Sequence, residues 1–166
     1  VGSEALLLNT TGTENTAVGA NALDANTTGE RNTGIGHGAL TKVTTGSYNT
    51  GVGRAVMDDL TTGAENTAMG NFAMGETTTG SFNVAIGGSC LADNTTGSTN
   101  TALGHLALAD NTTASNNTAI GSQALRLNTT GTTNVAVGSG CLDANTTASR
   151  NSAVGYHALT ANTTGD

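Results

Sequence analysis

The sequence predicts an all-β fold, a parallel β-solenoid (a β-roll or β-helix) of about ten rungs. The tetrapeptide Asn-Thr-Thr-Gly, first seen at residues 9–12, returns every 17 residues, sometimes altered, through all 166 residues. A fixed period across the chain predicts one short unit that stacks on copies of itself. The chain has 24 glycines, no proline and 2% aromatic residues, which are too few large side chains for a wide core.

Numbering the unit from Asn9 as position 1 to Ala25 as position 17 separates constant from variable columns. Positions 2 and 3 are Thr in all ten copies, and position 11 is always Gly. Position 10 is always aliphatic or Met, position 14 is Ala, Val or Cys, and position 15 is Leu or Met. Asn, Thr and Gly columns disfavour helices. Residues 1–166 therefore form a single solenoid domain, which we expect to be a segment of a longer fibrous protein.

Each element of the rung has its own sequence signal. Positions 7 to 10, as in residues 83–86, alternate as a strand does. Because Val84 and Val135 replace Thr at position 8, we expect positions 8 and 10 to face inward and position 9 outward. The glycine at position 11 allows a tight corner, through positive φ or close backbone approach. We expect a second short strand to carry the Leu column inward before Asn-Thr-Thr-Gly turns into the next rung.

The rungs should stack like the strands of a parallel sheet, ~4.7–4.9 Å apart, to give a rod of roughly 45–50 Å. Identical side chains then lie above one another, and stacked asparagines can exchange amide hydrogen bonds along the axis. The predicted structural Asn ladder is position 7: Asn15, Asn32, Asn49, Asn66, Asn83, Asn100, Asn117, Asn134 and Asn151.

Composition argues against several functions. With a net charge of −7 and five basic residues, the chain should not bind nucleic acid, which requires clustered Lys and Arg. No apolar run approaches the roughly 20 residues of a membrane span, so we expect no membrane insertion. His37 and His105 are four rungs apart, roughly 19 Å, too far to share a metal or a proton. We therefore expect no enzyme activity, no catalytic or metal site and no cofactor.

The remaining reactive residues also have a structural explanation. Cys90 and Cys141 are three rungs apart, roughly 14 Å, which exceeds the ~7 Å limit for a disulfide. We therefore expect both cysteines to be small residues of the core. Acidic residues concentrate at positions 16 and 17; a solvated face is favoured over a cation-binding stripe. Eight Asn sequons arise, seven of them from the repeat, and Val43 and Leu60 in the same column favour burial over glycosylation: Asn9, Asn26, Asn94, Asn111, Asn116, Asn128, Asn145 and Asn162.

The segments Asn83-Val-Ala-Ile-Gly87 and Asn15-Thr-Ala-Val-Gly19 resemble the head repeats of YadA-type trimeric autotransporter adhesins. The full 17-residue unit is similar to repeats of phage tail fibres and related bacterial surface proteins. The resemblance covers the whole chain and implies a left-handed β-roll, a homotrimer and an extracellular position on a virion or a bacterial cell. The adhesin repeat is shorter, near fourteen residues, so a three-faced rung stays open here.

These observations lead to one main functional hypothesis and two alternatives. The main hypothesis is a structural shaft or head segment, a rigid spacer for host or surface attachment, whose sister chains meet along a smooth outward strip of small residues at position 9. A surface glycan or receptor could instead bind exposed aromatic residues such as Tyr48 and Phe82. The other alternative is ice binding through an outward Thr ladder at position 2: Thr10, Thr27, Thr44, Thr61, Thr78, Thr95, Thr112, Thr129, Thr146 and Thr163.

Overall fold

The computed structural model describes residues 1–165, and these residues form a parallel β-solenoid. The described part of the chain contains no helix, and so none that is long and apolar enough to cross a membrane. Nine three-residue strands form one sheet in sequence order: β1 (Thr16–Val18), β2 (Thr33–Ile35), β3 (Thr50–Val52), β4 (Thr67–Met69), β5 (Val84–Ile86), β6 (Thr101–Leu103), β7 (Thr118–Ile120), β8 (Val135–Val137) and β9 (Ser152–Val154).

The strands pair in a register of 17 residues, so that each repeat position lies on its own equivalent in the next rung. Thr16 pairs with Thr33, and Val18 with Ile35, and the same offset holds from β1 to β9. Parallel strands usually need a long crossover, but here the rest of each rung is the crossover. The predicted solenoid and its 17-residue rung are confirmed.

The expected orientation of the strand is wrong. Position 9 is buried in every strand, whereas positions 8 and 10 are exposed or half-exposed. Ala85, for example, has no exposed surface, whereas 37% of Ile86 is exposed. The Ala and Gly residues of position 9 therefore cannot form an outward strip, and the sister-chain contact expected there is excluded in the folded rung.

The cause is the thickness of the core beneath the strand. A Cβ added to Gly51 would lie 3.1 Å from Val56 Cγ1, 3.2 Å from Met57 Cε and 3.3 Å from Leu40 Cδ1. The side chains of positions 14 and 15 thus reach across the rung and leave room only for Gly or Ala at position 9. Interiors pack too densely to admit a larger residue without movement, so Val and Ile must lie at positions 8 and 10, outside.

The second strand expected around the Leu column is absent from residues 1–165; positions 12 to 17 form turns. Positions 13 and 15 adopt left-handed φ in each rung, as at Asn21 (58°) and Leu23 (53°). From Leu23 to Leu142 the Leu column is nevertheless buried, as predicted. Bonds between rungs hold this turn: Leu23 N–H donates to the Ala39 carbonyl at 3.0 Å, and Ala25 N–H donates to Thr41 at 3.2 Å.

The glycine at position 11 meets both requirements that the sequence predicts for it. Gly87 has a φ of 140°, and a Cβ added there would lie 2.6 Å from the Gly104 carbonyl oxygen of the next rung. Real Cβ atoms do not approach a backbone oxygen so closely, and an L side chain rarely adopts this φ. Each rung therefore turns at a point where only glycine fits.

Candidate interaction surfaces

Residues 1–165 enclose no pocket and bring together no group of three or more His, Cys, Asp or Glu side chains that could hold a metal ion. The surface consists of columns, since each repeat position recurs above itself.

The position 7 asparagines form a continuous hydrogen-bonded ladder inside the rod, and those from Asn32 to Asn134 have no exposed surface. Asn66 Nδ2 donates to Asn49 Oδ1 at 3.0 Å and to the Gly80 carbonyl at 2.9 Å. Its own Oδ1 accepts the backbone N–H of Asn83 at 3.0 Å. The ladder links three backbone segments in every rung and supports the rod; it is not an outward site.

Position 1 forms a second, interrupted ladder. Asn111 Nδ2 donates to Asn94 Oδ1 at 2.9 Å, but the column contains Val43, Leu60 and Thr77 between its two asparagine runs. The carboxamide oxygen of Asn26, which faces Val43, consequently has no partner. Five of the sequon asparagines have no exposed surface, which excludes a glycan at them in the folded rod: Asn26, Asn94, Asn111, Asn128 and Asn145.

The two Thr columns have different roles. The first nine position 2 hydroxyls each donate to the position 2 carbonyl of the next rung, from Thr10 to Thr27 (2.8 Å) through Thr146 to Thr163 (3.3 Å). The hydroxyls of position 2, the candidate ice-binding ladder, are therefore engaged in hydrogen bonds to the backbone. Between the two ends of the column, these threonines are only half-exposed. Position 3 is the outward column: Thr11, Thr28, Thr45, Thr62, Thr79, Thr96, Thr113, Thr130, Thr147 and Thr164 are exposed.

The nine apolar side chains of position 10 are exposed or half-exposed on the solvent side of the sheet, which we call the strand face. It comprises the position 8 residues Thr16, Thr33, Thr50, Thr67, Val84, Thr101, Thr118, Val135 and Ser152 and the position 10 residues Val18, Ile35, Val52, Met69, Ile86, Leu103, Ile120, Val137 and Val154. None of these eighteen residues carries a charge. At strand spacing the face is ~38 Å long.

Position 6 forms a mixed polar and aromatic column beside the strand face. The Arg31 guanidinium donates to Glu14 at 2.9 Å and to the Tyr48 hydroxyl, and its Cζ lies 5.3 Å from the Tyr48 ring centre. The bond to Glu14, followed by that to Tyr48, raises the pKa of Arg31 above its usual value; the same bond lowers the pKa of Glu14. Glu65 and then Phe82, both exposed, continue the column.

Within residues 1–165, neither the acidic residues of positions 16 and 17 nor the cysteines belong to a group that could hold a metal ion. Lys42 pairs with Asp59 at 2.5 Å, and partial desolvation, followed by the charge of Asp110, raises the pKa of Asp93. Cys90 and Cys141 are buried and unpaired, and burial raises the pKa of both thiols, to about 12 for Cys90.

No protein-family model, curated protein or solved structure matches this chain. The surfaces must be interpreted from their own chemistry. The sequence analysis missed the strand face because it placed the larger apolar residues inside. A usable signal was present: position 9 contains only Ala and Gly, as a confined site requires, whereas position 10 varies among Val, Ile, Leu and Met.

Proposed function

We propose that this chain is a structural segment of a fibrous surface protein, a rigid spacer that holds an attachment tip away from a virion or a bacterial cell. The observation that carries the proposal is the rod itself, with one backbone register kept from β1 to β9 and no pocket among residues 1–165. Hydrogen bonds and side-chain ladders between successive rungs resist bending, since each rung is fixed to both neighbours.

Self-association through the strand face completes the proposal. Soluble monomers rarely leave a large contiguous apolar surface exposed, and such a surface usually marks an interface. Interface cores are depleted of charged residues, and this face has none. We propose a homotrimer, in which three rods bury their strand faces around a common axis.

Sedimentation equilibrium at micromolar concentration tests the assembly. The unmodified chain should sediment as a trimer, and Ile86→Asp with Ile120→Asp should sediment as a monomer because two charges would be buried. Ile86→Thr with Ile120→Thr, which keeps strand-forming residues, should weaken the trimer. Thr96→Asp with Thr130→Asp, which adds the same charge at position 3, is the control and should stay trimeric. A monomeric unmodified chain with unchanged circular dichroism contradicts the self-association.

Ice binding is the second candidate, and the position 3 column favours it. Its ten threonines are exposed, and none of their hydroxyls donates to another group among residues 1–165, so a straight file of hydroxyl and methyl groups faces water. Thermal hysteresis of the unmodified chain and of Thr79→Lys with Thr96→Lys separates the candidates. Activity that the two lysines abolish would favour ice binding, whereas no activity at high micromolar concentration removes it.

A further inference from the structure

Two exposed aromatic residues lie in one column of the rod. The chain has two Tyr and two Phe residues, and Tyr48 and Phe82 both occupy position 6, two rungs apart. Half of Tyr48 (50%) and more than half of Phe82 (56%) is exposed. Since rungs repeat at strand spacing, the two side chains start ~9.4–9.8 Å apart along the axis.

We propose that this column binds a linear β-1,4-linked glycan that lies along the rod axis. The distance between the two aromatic positions is close to the length of one disaccharide in an extended β-1,4-linked chain. Every second sugar of such a chain presents the same face, so both rings can contact equivalent sugar faces. Aromatic side chains offer a large apolar surface of this kind at little entropic cost.

The polar groups around the rings fit a polyhydroxylated ligand. Glu65 lies between Tyr48 and Phe82 in the same column, is exposed and makes no ion pair within residues 1–165, so its carboxylate can accept from sugar hydroxyls. The exposed threonines of position 3, such as Thr62 and Thr79, supply further hydroxyls on the same rungs.

Tyr48 is held in place before any ligand binds. Its hydroxyl accepts from Arg31, and Arg31 in turn donates to Glu14 at 2.9 Å, so three successive rungs fix one ring. A side chain that is already ordered loses less entropy on binding, which favours affinity. Phe72 also has a guanidinium over its ring, that of Arg54 at 4.9 Å, but it lies at position 13, and no other Phe or Tyr shares that column.

The charges of position 6 argue that the column stays in solvent when strand faces associate. Glu14, Arg31, Glu65 and Arg150 all occur in it, and charged residues are depleted from interface cores. A glycan is therefore favoured over a second copy of the chain as the occupant. The glycan site also lies outside the strand face, so its test does not depend on the oligomeric state.

Calorimetric titration of the full chain with cellohexaose and with chitohexaose tests the site. Maltohexaose, whose α-1,4 linkages coil the chain, controls for geometry. We expect binding of at least one β-1,4 hexasaccharide and none of maltohexaose. Tyr48→Ala or Phe82→Ala should each weaken binding by about tenfold or more, as truncation of an aromatic hot spot does.

Phe72→Ala is the matched control, because it removes an exposed aromatic ring from another column. Circular dichroism and sedimentation of each variant confirm an unchanged fold and assembly. Retained affinity in Phe72→Ala, together with loss in both column variants, supports the site. Failure to bind either β-1,4 hexasaccharide, equal binding of maltohexaose, or an equal loss in Phe72→Ala overturns it. Sedimentation results that contradict the trimer leave this outcome unaffected.

Discussion

Asn49 Oδ1 accepts two hydrogen bonds from Asn66, one from the backbone N–H at 3.1 Å and one from the side-chain Nδ2 at 3.0 Å. Both residues have no exposed surface. A buried amide is tolerated only when its donors and acceptors are satisfied, and a repeating rung satisfies them with its own copy. Each rung therefore needs an asparagine at position 7 of the neighbouring rung to satisfy its own buried amide.

Removing one member of this ladder should be costly. Asn66→Ala leaves the Gly80 carbonyl without its side-chain donor and the Asn83 N–H without its acceptor. Each unsatisfied buried group costs ~1–3 kcal/mol, so we expect a loss of about 2–6 kcal/mol in urea unfolding. Asn71→Ala, at an exposed position outside the left-handed φ region, should change stability by less than ~0.5 kcal/mol. Equal midpoints for the two variants would contradict the role of the ladder.

The second prediction concerns the corner glycine at position 11, and the glycine that follows it in one rung provides the control. Gly87→Ala should destabilise the rod by ~1–3 kcal/mol, because φ is 140° and the new Cβ would lie 2.6 Å from the Gly104 oxygen. Gly88→Ala meets only His105 Cδ2 at 3.6 Å and should be neutral or stabilising by up to ~1 kcal/mol. Thermal unfolding measures both. The same sign and size for the two variants would refute the corner requirement.

The period made the architecture predictable, because a 17-residue repeat without a slip permits only stacking. The strand, which occupies positions 8 to 10, and the corner at position 11 were also predictable from alternation and from the invariant glycine. The orientation of the strand was not predicted correctly, because the rule that larger apolar residues lie inside fails where the core is thin. Gly34 illustrates this: a Cβ there would lie 3.3 Å from Leu23 Cγ.

The turn that contains the Leu column could not be predicted from the sequence, for a different reason. Leucine rarely adopts left-handed φ, which costs an L residue roughly 1–2 kcal/mol. Leu23, Leu40 and their equivalents up to Leu142 all adopt it, at φ of 53° and 56° in the first two cases, and are fully buried. Tertiary packing and bonds between rungs therefore override local preference. The interaction surfaces could not be predicted from the sequence either, because their positions depend on which way each strand faces.

Cys90 should be unreactive while the rod is folded. The thiolate is the nucleophile, and burial raises the pKa of this thiol to about 12, so almost none ionises at pH 8. Alkylation by iodoacetamide, followed by mass spectrometry, should be slow in buffer and fast in denaturant. Ser122→Cys, at an exposed site, provides the positive control in the folded state. Native Cys90 that reacts as fast as this introduced thiol would show that the core opens readily.

Thr77→Asn should stabilise the rod, because it would extend the interrupted position 1 ladder. Thr77 is fully buried and its hydroxyl has no partner. In the copy that follows, Asn94 Nδ2 donates to the Gly97 carbonyl at 3.0 Å, and Asn94 Oδ1 accepts from Asn111 at 2.9 Å. An asparagine at residue 77 can make the same two bonds, to the Gly80 carbonyl and from the Asn94 side chain.

We expect a gain of about 1 kcal/mol from these bonds, since one net hydrogen bond contributes roughly that amount and the orphaned hydroxyl is removed. Urea unfolding of Thr77→Asn measures the gain. Thr79→Asn makes the same substitution at an exposed position of the same rung and should stay within ~0.5 kcal/mol of the unmodified chain. If Thr77→Asn unfolds at lower urea than the unmodified chain, the extra volume of asparagine outweighs its hydrogen bonds. The Val43, Leu60 and Thr77 interruption would then be a packing requirement of the rod and not a gap in its ladder.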